Sequence, residues 1–169
     1  MTPLPGQLAP GTRVVAWRLD AAAHAPTWDS GIGAERMGGR WNPKGVKAVY
    51  CSFDPATTIL ESAVHRGFHV LDTQPCMLTS LAIVDPAHVK VVFPGDVPNP
   101  AWLHSGIPSA GQQEFGAALL DAHPFVTLPS VVSKRSWNVV FRPERAAGKY
   151  AMLGQDRLLL DTRLNRGAP

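Results

Sequence analysis

Apolar residues in this chain fall mostly in short blocks, and the blocks differ in period. Residues 13–18 and 47–51 are apolar runs bounded by turn-forming residues and read as the first two strands. Runs over 77–84 and 89–93, separated by Asp85-Pro86, continue the series. Two more, over 125–132 and 137–141, flank a polar turn at Lys134-Arg135, and a last short strand is expected near 158–160. Two stretches carry helical signals instead. Asp54 is a natural N-cap, Pro55 suits the first helical position and Gly67 supplies a stop, which predicts a helix from 55 to about 65. Its expected apolar face is Ile59, Leu60, Ala63 and Val64. A second helix is expected over 110–120, with Ser109 as its cap. Few helices among many short strands, without βαβ alternation, predict an α+β fold.

The chain has 169 residues, enough for one domain with a proper core, and neither a repeat nor a low-complexity linker divides it. The expected organisation is a flexible N-terminal tail over 1–12, a domain over 13–162 and a C-terminal tail over 163–169. Hydrophobic residues make up 45% and charged residues 17%, an ordinary globular balance. The net charge of +3 is spread along the chain, which argues against direct nucleic-acid binding and suits a few arginines holding a small anion. Cys51 and Cys76 sit in strand-like runs and read as buried free thiols. Neither a signal-peptide pattern nor a membrane-spanning apolar run is present, which places the protein in the cytoplasm by expectation.

Candidate chemistry concentrates in residues 38–45, Gly-Gly-Arg-Trp-Asn-Pro-Lys-Gly, followed by Tyr50 on the next strand. Paired glycines allow a ligand to approach the backbone closely, and Arg40 offers a planar fork of donors for a phosphate or carboxylate. Trp41 and Tyr50 offer flat surfaces for a base; the same segment also reads as a surface hairpin with an exposed arginine and a core tryptophan. Arg18, ending the first strand, is either a solvent-facing charge or a second anion clamp that meets Arg40 in space. Glu61 interrupts an apolar helical stretch, where it either pairs with His65 one turn on or serves as a catalytic carboxylate. Glu61, His65 and His69 recur every four residues, but no further ligand completes a set, so no metal is expected. Ser130 follows Pro129 without a hydrolase-elbow context, and Asn138 and Arg142 read equally as turn residues.

Taken in order, these residues resemble the RES family of toxins. The resemblance rests on Trp17-Arg18, on the Gly-Arg-Trp-Asn block at 39–42 with Gly45, and on Tyr50. It continues through Leu60-Glu61, Val64-His65 and Leu128-Pro129-Ser130, then Asn138 and Arg142-Pro143, and so covers about residues 13–162. It implies an ADP-ribosyltransferase-like split β-sheet core and an enzyme that consumes NAD as its substrate, without a metal. Hydrolysis or phosphorolysis of the nicotinamide–ribose bond is the leading expectation, and ADP-ribose transfer to a host protein the alternative. A non-enzymatic anion-binding module is the third reading. By the same resemblance Arg18 and Arg40 hold the phosphates, and Trp41, Asn42 and Asn138 contribute to NAD binding. Tyr50 packs on nicotinamide or ribose, Glu61 stabilises the ribosyl cation, and Ser130 hydrogen-bonds the dinucleotide. The implied partner is an Xre-type helix-turn-helix antitoxin, with room for a toxin homodimer in the complex. Two departures stand out: Arg142-Pro143 replaces the commoner Asn-Pro, and a longer segment over 21–36, containing Trp28, is expected to lid the cleft or to bind a macromolecular target.

Overall fold

The computed structural model describes residues 5–9 and 11–160. Its strands are β1 (Val14–Ala21), β2 (Val49–Ser52), β3 (Cys76–Ile83), β4 (Val89–Val91), β5 (Phe125–Pro129), β6 (Trp137–Phe141) and β7 (Tyr150–Leu158). The helices are α1 (Ile32–Met37), α2 (Pro55–Arg66), α3 (Phe68–Thr73), α4 (Ala110–Ala122) and the single turn α5 (Pro143–Ala146). The α+β expectation holds. The strands form one mixed sheet in the order β4-β5-β6-β2-β1-β3-β7, antiparallel except for β4 beside β5.

The continuous apolar runs of β5 and β6 arise because the sheet is covered on both faces. Phe125, Val139 and Phe141 join Val14, Trp28 and Val49 in one core cluster. Their neighbours Val126, Leu128 and Val140 point the other way, onto Leu120 of α4 and Trp41. A third cluster, Leu19, Ala63, Leu71 and Cys76, fastens α2 and α3 beside β1. Both helix caps are made as expected: the Asp54 side chain accepts from Thr57 N–H and the Ser109 hydroxyl from Gln112 N–H. Cys51 and Cys76 are buried and free.

Between β1 and β2 the sheet nearly parts. That seam has a single paired position, Trp17 with Ser52, whereas β1 and β3 pair from Val14–Ile83 to Ala21–Cys76. Buried backbone carbonyls left without a ladder partner need donors from elsewhere. Side chains supply them: the Arg18 guanidinium donates to Tyr50 O at 3.0 Å and the Thr58 hydroxyl to Trp17 O at 3.0 Å.

Several expectations need correction. α2 turns Thr57, Thr58 and Ala63 inward, and leaves Leu60 and Val64 exposed, because the helix packs on the seam through its threonines. Gly67, at φ +83°, ends α2 and at once starts α3, which was not expected. The last strand runs nine residues rather than three; it is a sheet edge whose pairing slips between Ser80 and Leu81, so it carries no clean alternation. Gln7, inside the expected N-terminal tail, donates to Phe53 O and accepts from Val15 N–H. The expected C-terminal tail lies outside the described residues.

The segment over 21–36 is packed on the body of the domain and forms one wall of the site. It winds through a 3-10 stretch (Ala22–Thr27) into α1. Trp28 is buried edge-on against Tyr150 with ring centroids 5.8 Å apart. Asp29 accepts from the Tyr150 hydroxyl at 2.7 Å, and Gln155 donates to Ala25 O at 2.9 Å. His24, Gly33 and Ala34 of this stretch line the pocket described next.

Candidate functional site

Where the sheet parts, a cavity of about 460 Å³ opens, within the range of small-molecule sites. Arg18 and Asp20 enter it from β1, Tyr50 and Ser52 from β2, Glu61 and His65 from α2, and Asn138 from β6, while residues 38–41 form the opposite rim. Six sequence-predicted residues, Arg18, Arg40, Trp41, Tyr50, Glu61 and Asn138, therefore meet in one pocket, whereas Asn42 and Ser130 are not among its lining.

Glu61 is half-buried and fixed. Its Oε1 accepts from the Ser130 hydroxyl at 2.7 Å and from Asn138 Nδ2 at 2.6 Å; Oε2 takes part in neither bond. Asn138 is itself oriented, since its Oδ1 accepts from the Ser52 hydroxyl at 2.7 Å. Ser130 also caps the following turn by accepting from Ser133 N–H. Glu61 thus turns to Ser130 and Asn138 rather than to His65. Ser130, at 4% exposure, acts on the carboxylate rather than presenting its hydroxyl to the open cavity.

The Gly-Arg-Trp-Asn loop is built around Asn42, which is fully buried. Its Nδ2 donates to the carbonyls of Ala34, Pro43 and Val46, and its Oδ1 accepts from the Tyr50 hydroxyl at 2.6 Å. The same hydroxyl accepts from Trp41 N–H at 3.0 Å. Burial pushes the Tyr50 phenol well above its ordinary range, against the opposing pull of the Trp41 N–H and the Arg40 charge. Gly39 is obligatory here: a Cβ on it would lie 2.5 Å from the Tyr50 hydroxyl and 2.6 Å from Asn42 Oδ1. Trp41 is 2% exposed and packs against Phe115, so the core-tryptophan reading holds, and its indole is not an open platform for a base. Asn42 likewise spends its amide on the loop.

The two arginines meet the cavity already partnered. Arg40 donates through Nη1 to Trp102 O and His104 O, both at 3.3 Å, and through Nη2 to Gly106 O at 3.2 Å. Burial lowers its pKa, while the negative charge of Glu61 works in the other direction. Arg18 donates to Tyr50 O across the seam and pairs with Asp20. Asp20, Ser52 and the carbonyls over 102–106 were not singled out from sequence. For Asp20 a signal existed, since positions i and i+2 of a strand share a face. Arg142 lies away from the pocket, with Asp121. Among the described residues no group of three His, Cys, Asp or Glu side chains is placed to hold a metal ion, and no helix is long and apolar enough to cross a membrane.

A sheet parted at one seam, with a pinned carboxylate and two arginines lining a pocket of small-molecule size, defines the architecture of this α+β protein. A family model described as the RES domain matches residues 15–161, and the chain belongs to that family. It is 31% identical over 143 residues to the Prs ADP-ribosylating toxin of Sphingobium sp. (strain YBL2), covering 79% of this chain and 84% of that relative. It is 27% identical over 132 residues to Toxin Res of Photorhabdus laumondii, covering 77% and 82%. Among solved structures, a chain of the M. tuberculosis MbcT-MbcA toxin-antitoxin complex superposes with a TM-score of 0.69 at 20% identity, covering 86% of this chain and 84% of that one. The likeness confirms the expected fold.

Proposed function

We propose that this chain cleaves the nicotinamide–ribose bond of NAD in the seam pocket, as the toxin of a toxin–antitoxin pair acting in the cytoplasm. The observation that carries the reading is Glu61, a carboxylate held on one oxygen by two neutral donors with its other oxygen uncommitted by them. Breaking the bond sends its electron pair to the pyridinium nitrogen of nicotinamide and builds positive charge on the ribose ring. A fixed anion beside the ring stabilises that charge without having to reorganise. Oε2 of Glu61 is left for a ribose hydroxyl, and Ser130 and Asn138 hold the carboxylate in place. Tyr50 borders the nicotinamide or ribose, and Arg18 and Arg40 take the diphosphate through their remaining N–H groups. Trp41 and Asn42 serve NAD indirectly, by shaping the loop that carries Arg40. Water or phosphate then attacks the anomeric carbon; with water the products are ADP-ribose, nicotinamide and a proton.

Transfer of ADP-ribose to a host protein is the second reading. The Sphingobium relative, named as an ADP-ribosylating toxin, favours it, and the same pocket serves both. An antitoxin partner is proposed by analogy with the MbcT-MbcA toxin-antitoxin complex; its Xre helix-turn-helix type and a toxin homodimer in the assembly are proposed from the resemblance to RES toxins alone.

Nicotinamide release from NAD, with water or phosphate as acceptor, tests the leading reading. The wild-type protein releases nicotinamide, and Glu61→Gln lowers the rate by about a hundredfold or more while the fold survives. A labelled protein band from lysate and labelled NAD, without free ADP-ribose, would favour transfer. Release unchanged in Glu61→Gln would remove the assigned role of the carboxylate.

A further inference from the structure

Asp20 lies two residues beyond Arg18 on β1, opposite Met77 where Arg18 is opposite Thr79, so the two side chains share one face of the strand. Arg18 Nη2 donates to Asp20 Oδ1 at 2.8 Å, and Nε lies 2.7 Å from Oδ2. On its far side the guanidinium donates through Nη1 to Tyr50 O. Both side chains are largely buried, at 21% and 14% exposure, and both line the pocket.

A guanidinium has five N–H groups in a fixed plane. Asp20 on one edge and a carbonyl across the seam on the other fix that plane in two directions. Two consequences follow. The rotamer entropy of a long side chain is given up on folding rather than on ligand binding. The carboxylate also offsets the guanidinium charge, so an incoming anion is recognised through directed N–H groups more than through a net positive field.

Resting on the NAD reading of the pocket, we infer that Asp20 is a positioning residue: it holds the Arg18 guanidinium in the plane that receives the dinucleotide's diphosphate. It is not a catalytic residue, because its carboxylate faces Arg18 and acts through it. Removing it lets Arg18 rotate, at a cost in ligand affinity rather than in the chemical step. Replacing it by the near-isosteric asparagine leaves one acceptor for Arg18 and uncovers the cation.

The test pairs steady-state nicotinamide release with calorimetric titration of ADP-ribose, at low and high salt, on the full chain. Asp20→Ala should raise the KM for NAD and the Kd for ADP-ribose by about tenfold, with kcat within about threefold of wild type. Asp20→Asn should recover part of the affinity at low salt and lose it more steeply than wild type as salt rises. If Asp20→Ala does not fold, Asp20→Asn alone carries the test through its salt dependence. Unchanged KM and Kd would overturn the inference. So would tighter ADP-ribose binding in both variants, which would make Asp20 only a repulsive charge, or a fall in kcat with KM unmoved. A wild-type protein that neither releases nicotinamide nor binds ADP-ribose would instead overturn the NAD reading itself.

Discussion

Gly116→Ala is the substitution on which packing and helix propensity disagree in sign. Gly116 is buried in the middle of α4, where alanine ordinarily stabilises a helix by about 1 kcal/mol. Here a Cβ would lie 2.3 Å from the Trp41 carbonyl oxygen and 2.6 Å from Trp41 Cα. Favourable contacts between heavy atoms lie near ~3.5–4.0 Å, so the helix or the loop must withdraw by on the order of 1 Å. Neither yields easily. The obstacle is backbone, and the loop is tied to α4 by Gln113 Nε2 donating to Gly39 O at 2.8 Å. Overpacking of a close-packed site costs about 1–3 kcal/mol, and withdrawal also loosens Trp41 from Phe115. The net expectation is a loss of about 2 kcal/mol, equal to a Tm lowered by about 4–8 °C for a chain of this size. Nicotinamide release should fall with it, because the displaced loop carries Arg40. Thermal and urea unfolding followed by circular dichroism measure the first effect. A Tm raised by a few degrees, as propensity alone requires, would refute the packing argument.

Three further outcomes are expected. Asn138→Asp would place a second carboxylate where Nδ2 now lies 2.6 Å from Glu61 Oε1. Two such groups cannot both ionise freely, so activity should fall by about tenfold or more near neutral pH, with the pH profile displaced upward; a profile superimposable on wild type would count against Glu61 as the working anion. Burial pushes the Cys51 thiol up to about 12 from its ordinary 9.0. A raised folded-state pKa contributes stability that is complete below pH 9 and is lost as pH climbs toward 12. Urea midpoints should therefore fall over that window, and less steeply in Cys51→Ala after allowing for its lower starting stability. A thiol reagent at pH 8 should label Cys51 only after unfolding.

What the sequence disclosed follows from how local each signal is. Caps and turn residues act within a few positions, so Asp54, Gly67 and Ser109 marked their helix ends correctly. The alternate burial of Phe125 and Val126, or of Val139 and Val140, is invisible as alternation because both faces of the sheet are covered. The face of α2 was misread for a related reason. Leu60 and Val64 satisfy helical spacing, yet the helix seats its threonines on the seam, where Thr58 is needed as a donor to Trp17 O. Glu61 stood out as a charge in an apolar run, but its partners lie 69 and 77 residues away and no local rule could supply them. Arg18 and Arg40 were legible as cations. Their backbone acceptors were not, since carbonyls are identical in every residue; Asp20, the side-chain partner of Arg18, was within reach of the strand's two-residue period.

The seam connects the stability of this fold to its chemistry. A sheet that parts exposes backbone carbonyls, and each one buried without a donor costs about 1–3 kcal/mol. The chain meets that cost at Tyr50 O with an arginine rather than with another strand. Arg18 is thereby fixed at the mouth of the gap that its own hydrogen bond helps to hold open. Exchange for lysine would keep the charge but not the planar fork that spans Tyr50 O and Asp20 together. Loss of Arg18 should accordingly register twice, as weaker ligand binding and as a less stable seam, whereas loss of Glu61 should register in activity alone. Measuring unfolding and nicotinamide release on Arg18→Lys beside Glu61→Gln separates a residue that builds the gap from one that only uses it.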